Sequence, residues 1–201
     1  MDRLVRFCRQ EYEYYDAVPA CDPIRIEPLD VLATVGINSR LDTAAKIRTV
    51  HRAMSTTVNP LLELTPEDAA LHVVSSLDPL HELLAAAMTS KFVLLATATK
   101  VLHRKRPALI PIMDSVVAGH YVHDDPTEKA LLQRSWESRS AAADIGRLTI
   151  ARLRDDVLDG FAVLDQLQDS LEAEGYALSH VWVMDILVWT ERELAGSYRT
   201  I

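Results

Sequence analysis

The side chains best suited to chemistry fall in one stretch, Lys100-Val-Leu-His103-Arg104-Lys105-Arg106-Pro107-Ala-Leu-Ile-Pro111-Ile-Met-Asp114-Ser-Val-Val117. A helical segment ends there in a basic run, two prolines restrict the chain, and Asp114 stands where a new helix would begin. A carboxylate fixed beside cations at a helix terminus can stabilise positive charge that develops on a substrate. The same aspartate can also act as the N-cap of a helix Ser115–Tyr121, accepting bonds from its first backbone amides. Lys100, His103, Arg104, Lys105 and Arg106 carry a matching pair of readings. They could meet nucleic-acid phosphates as a local basic patch. Alternatively they face the negative end of the preceding helix dipole and pair with acids elsewhere in the chain.

Three further sets of residues need an explanation. Asp185 lies inside Val181-Trp-Val-Met-Asp-Ile-Leu-Val-Trp189, where no side of a helix is clearly wet, so it requires a partner or must become neutral. A structural ion pair with Arg104 or Arg106 is the expectation. His120 and His123, with Asp124 and Asp125 adjacent, have a spacing compatible with a metal, although such pairs usually bind nothing. No metal and no cofactor are expected, and His72 and His81 show no ligand geometry. Tyr12, Tyr14 and Tyr15 pack the N-terminal helix or serve a partner surface. The chain has no GxGxxG, P-loop, GxSxG or HExxH pattern, which leaves nucleotide-cofactor, serine-hydrolase and zinc-protease chemistry without support.

The elements that must position these groups read as helices. Thr65-Pro66-Glu67-Asp68, Asp78-Pro79 and Asp125-Pro126-Thr127-Glu128 each combine a capping side chain with proline at a first helical position. Leu80, Leu83, Leu84, Ala87 and Met88 form an apolar stripe at helical spacing. Helices are also expected over Arg3–Tyr14, Pro28–Val35, Asp42–Met54, Lys91–His103 and Ser140–Ala173, the last interrupted at Asp159-Gly160. Gly175 should end that run and Ser179 should cap a final helix through Arg192. Residues 16–27, with Pro19 and Pro23, read as an extended connection, and Gly36 to Ser39 as a break. There is no Gly/Ser-rich linker, repeat or low-complexity tract, so the expectation is a single all-α domain over residues 1–201.

Composition limits the function classes. The net charge of −8 argues against a general nucleic-acid coat, since backbone binding needs basic surface that releases counterions, but it allows a local patch. The segment MDRLVRFCRQEYEYYD interrupts every apolar run with charge and does not read as a signal peptide. The apolar stretches are too short to cross a membrane. Two isolated cysteines, Cys8 and Cys21, suit a reducing compartment, so a cytoplasmic location is expected.

At Lys100–Val117, and again at Leu29–Arg40, Leu61–His72 and Leu178–Trp189, the sequence resembles an uncharacterised bacterial family of unknown function. A more distant resemblance is to the helix-hairpin-helix DNA glycosylases, in which an aspartate after a short proline-containing segment supports loss of a damaged base. The step from Ala98 through Pro111-Ile-Met-Asp114 is similar to the second half of that arrangement. The resemblance implies a glycosylase-like helical scaffold, DNA as partner and base-excision chemistry at Asp114. No glycine lies in Lys91–Ala96, where the resemblance would place the hairpin, and Ala96 cannot form a Schiff base. Three readings therefore stand: a nucleic-acid-binding protein with weak or lost excision chemistry, a non-enzymatic module that binds a protein or self-associates, and an enzyme for a small nucleoside-like molecule.

Overall fold

The computed structural model describes residues 1–12, 15, 18, 22–37, 39–89, 92–122 and 125–194, without the side chains of 11–12 and 192–194. Ten α-helices carry this part of the chain: α1 (Asp2–Phe7), α2 (Pro28–Ala33), α3 (Ala44–Leu62), α4 (Asp78–Ala87), α5 (Leu95–His103), α6 (Ser115–Tyr121), α7 (Pro126–Ser135), α8 (Arg139–Asp159), α9 (Phe161–Ala173) and α10 (His180–Leu194). A π-helical turn, Cys8–Tyr12, extends α1, and a 3-10 turn, Thr34–Ile37, extends α2. Among the described residues there is no strand. The protein is all-α.

Local chemistry explains most boundaries. Asp125 Oδ1 accepts from Thr127 N at 2.6 Å and Glu128 N at 3.3 Å, and Pro126 occupies the first turn of α7. Ser138 caps α8, which runs until Gly160 separates it from α9. Gly175 has φ +94°, the left-handed conformation that ends a helix with least strain in glycine. Ser179 Oγ then accepts from Trp182 N at 3.2 Å and opens α10. The stretch Val181–Trp189 is thus helical.

The expected helix start at Thr65-Pro66 is corrected. Residues 63–77 form turns, because Thr65 closes α3 instead of opening a new helix: its hydroxyl donates to Leu61 O at 2.8 Å. A threonine hydroxyl can serve a terminus on either side, and its residue type does not say which. The helix expected from residue 91 begins at Leu95, while the one expected over Asp42–Met54 runs on to Leu62 with Pro60 in its last turn. Tyr14, Pro19, Cys21, Asn38 and Lys91 lie outside the described residues, as does the side chain of Tyr12.

Helix α8 occupies the middle of the packing and touches α4, α5, α6, α7, α9 and α10. Its buried residues Ala142, Ile145, Gly146, Thr149, Ile150, Leu153 and Val157 recur at three- and four-residue spacing. A side chain at Gly146 would meet Leu95 Cδ1 at 3.0 Å, so glycine allows α5 to lie close against α8. Helix α10 buries Val181, Val183, Asp185, Ile186 and Val188 against the same apolar core. Between α5 and α6 the chain runs extended and buried over residues 110–113, and this segment carries the candidate site.

Candidate functional site

Arg104, Lys105 and Arg106 leave the C-terminal end of α5 and turn inward. Asp30 is 1% exposed and meets both of the first two: Lys105 Nζ lies against its Oδ2, and Arg104 Nε lies 3.4 Å from its Oδ1. The same carboxylate accepts from Glu27 N at 2.8 Å and so belongs to the capping box of α2. Arg104 also donates to Tyr15 O at 2.8 Å and Val18 O at 2.6 Å, with its guanidinium 5.2 Å from the Tyr15 ring centre. Lys105 donates to Asp22 O at 2.8 Å.

Arg106 is 1% exposed, and among the described residues no carboxylate lies within ion-pair distance of it. Its nitrogens donate to the carbonyls of Thr65, Pro23, Lys105 and Leu62 over 2.6–3.2 Å. Leu62 and Thr65 lie at the C-terminal end of α3, where helix carbonyls lack intrahelical partners and carry negative partial charge. The planar five-donor guanidinium serves this set of acceptors in a way an ammonium cannot.

The residues expected to form a phosphate-binding patch point into the protein. Lys100, His103, Lys105 and Arg106 are buried, and Arg104 keeps 4% of its side chain exposed. Their donors are engaged inside the protein, because a buried cation without acceptors is far costlier than one left in water. Lys100 Nζ donates to Ile37 O at the end of the 3-10 turn, and burial lowers its pKa, opposed by the nearby charge of Asp114. His103 Nδ1 must carry the proton, since it faces the Ile110 carbonyl at 2.6 Å and a carbonyl only accepts. Complete burial pushes this imidazole down to about 4, and its ring meets Trp182 edge-on at 4.6 Å. His103 is therefore a neutral core residue.

Asp114 Oδ1 accepts from Val116 N at 2.8 Å and Val117 N at 3.1 Å, which makes the residue the N-cap of α6. The extended segment before it is held from both sides. His103 and Thr99 of α5 bond Ile110 O and Met113 N, and Asp185 Oδ2 of α10 accepts from Ile112 N at 2.7 Å.

The guanidinium groups of Arg104 and Arg106, the expected partners of Asp185, bond the segment 15–30 and the end of α3 instead. Asp185 is fully buried, and among the described residues its Oδ1 has no hydrogen-bond partner. Burial raises its pKa well above the usual carboxylate range; the Ile112 amide opposes this and Asp114 adds to it.

His120 Nδ1 lies 3.6 Å from Glu191 Oε2, and His123 and Asp124 are outside the described residues. Among the described residues no three His, Cys, Asp or Glu side chains are placed to hold a metal, and no helix is long and apolar enough to cross a membrane.

Sequence reasoning missed Asp30, the residue that organises the basic run. Its only local signal is the capping-box spacing with Glu27, which says nothing of cations 74 residues away.

The chain belongs to a family of unknown function (DUF6308), whose model matches residues 4–192. No curated protein and no solved structure matches it.

Two predictions follow from the buried charges. Asp30→Asn keeps an acceptor for Glu27 N but strands Lys105 and Arg104, and urea denaturation should show a loss of about 3–5 kcal/mol. Asp185→Asn should stabilise the fold. Because the folded pKa of Asp185 is raised, wild-type stability falls as pH rises from about 3.9 through that folded value. The variant's advantage should therefore be present at about pH 8 and fade towards pH 4, as followed by denaturation across pH.

Proposed function

We propose that this member of the family is a non-enzymatic helical module that docks another protein through an apolar ridge on the segment 22–37. The observation that carries the reading is how that segment is mounted. Its inner face is held by Lys105 on Asp22 O, Arg106 on Pro23 O, Arg104 and Lys105 on Asp30, and Lys100 on Ile37 O. Ile26 adds two bonds to α3, from its amide to Asn59 Oδ1 at 2.9 Å and from Ser55 Oγ to its carbonyl at 3.2 Å.

The outer face of the same segment presents Leu29 at 41% exposure, Leu32 at 50% and Val35 at 41%, and Ile24, ahead of the helix, is exposed as well. Leu29 and Leu32 are one helical turn apart, and Val35 continues the line into the 3-10 turn. A contiguous exposed apolar strip on a rigid mount is the anatomy of a binding surface, since little ordering entropy is lost on docking.

A different protein, with a neutral or basic rim, is the favoured occupant. The chain carries −8, and Lys100, Arg104, Lys105 and Arg106 are withdrawn from its surface, so two copies repel each other. A photoreactive side chain at position 32 should crosslink a distinct partner. Leu32→Glu should weaken that complex at least about tenfold while leaving folding stability within about 0.5 kcal/mol. A dimer that Leu32→Glu dissociates would make the surface self-associating instead. A complex insensitive to this change would sink the ridge reading.

A second reading, carboxylate chemistry on a nucleoside-like group or DNA at Asp114, is favoured by one observation: the Lys100 amine lies within electrostatic reach of that carboxylate. Asparagine at position 114 still caps a helix, so Asp114→Asn separates charge from fold. Binding of duplex DNA carrying an abasic-site analogue should be measured over a salt series for both forms. Binding that weakens with salt and is altered by Asp114→Asn would favour this reading over docking, and no binding at low salt would remove DNA as the ligand.

A further inference from the structure

A cluster away from both sites joins three elements through aromatic rings and histidines. His72 lies in the turns between α3 and α4, with its ring centre 4.9 Å from Phe161 at the start of α9. It is 5.4 Å from His180 at the start of α10, nearly perpendicular at 76°. Phe161 and His180 are themselves 4.7 Å apart, so each ring touches the other two. His180 Nε2 bonds Asp165 Oδ1 of α9 at 2.8 Å. His72 Nδ1 is buried and has no hydrogen-bond partner among the described residues.

Among the described residues, few charged and titratable groups act on His72. Asp165 faces it from α9 and His180 from α10, while Arg154 of α8 reaches the same turn and donates to Val74 O at 2.6 Å. Next to the turn in the 107–110 segment, Ala108 O accepts from Leu71 N at 2.9 Å and Pro107 O from Ser179 Oγ at 2.7 Å, and neither residue is charged. Asp165 is thus the carboxylate that acts on both imidazoles.

We propose that the His72–His180–Phe161 contact is an acid-sensitive latch, closed at neutral pH and released by protonation, that holds the turns over 69–77 against the ends of α9 and α10. A proton on His72 would put a cation against Phe161 and beside His180, with its Nδ1–H lacking an acceptor among the described residues. Burial first, and then the neighbouring imidazole, lowers the His72 pKa, with Asp165 opposing. The open turn therefore binds the proton better than the closed one, and closure weakens as pH falls below the ordinary histidine value of about 6.5.

The test is amide hydrogen exchange over 69–77 between about pH 7.5 and 5.5, corrected for intrinsic exchange rates, alongside NMR titration of the imidazoles in the wild-type protein. In wild type the opening equilibrium should rise by up to about tenfold per pH unit below 6.5, the limit for one linked proton. In His72→Phe, which keeps a ring but cannot charge, that dependence should vanish. The wild-type His72 signal should titrate below 6.5 and together with the amides of the turn. Equal pH dependence in both proteins would overturn the latch, as would a His72 that titrates at or above 6.5 in wild type, a result that does not depend on how well the variant folds.

Discussion

The structure depends on where the charges of Arg104, Lys105 and Arg106 go once they are taken out of water. Three adjacent cations at the end of α5 cannot be buried without an acceptor for nearly every donor. One carboxylate, Asp30, serves two of them, and the remaining donors go to main-chain carbonyls from residues 15 to 23 and from the end of α3. Carbonyl groups suit this purpose because irregular chain and helix C-termini leave them without regular partners. The basic run thus solves two problems at once: its own desolvation, and the unsatisfied carbonyls of segments too short to build a ladder. Arg106 ties the segment 22–37 to α3, and Arg104 and Lys105 tie α2 to α5.

A second polar lacing depends on the first, because it begins in the same helix. Thr99 and His103 of α5, with Asp185 of α10, supply hydrogen bonds to the extended residues 110–113 that a neighbouring strand would otherwise provide. This fixes where α6 starts and hence where Asp114 lies. The neutral state of His103 and the raised pKa of Asp185 have one origin, full burial in a core that does not solvate charge. The two lacings together tie the segment 22–37 and the start of α6, with its capping carboxylate Asp114, to α5.

Much of the secondary structure was legible because helix ends are chosen locally. Asp114, Asp125 and Ser179 each accept from amides two or three residues onward, and Gly175 relieves strain at its own φ. The exception, Thr65-Pro66, shows the limit. The same residue types close α3, because the threonine finds the carbonyl four residues behind it before any amide ahead of it. For the helix expected over Pro28–Val35 the limit is burial: only packing tells that Leu29, Leu32 and Val35 face outward.

Residue spacing and local capping by themselves determined that this chain is all-helical and where most of its helices begin, and they left Asp114 open between a cap and a charge-stabilising carboxylate. They also determined that the run at 104–106 and the lone Asp185 must be satisfied in some manner. Which partner satisfies each was decided only by tertiary structure. Asp30 is far from Arg104 and Lys105 in sequence, and Arg106 selects carbonyls, groups that every residue carries and that no sequence pattern distinguishes. Asp185 found an amide where an arginine was expected, since the arginines are taken up by carbonyls of the segment 15–23 and the end of α3 and by Asp30. Burial sets the need for a partner, but proximity in the folded chain sets its identity.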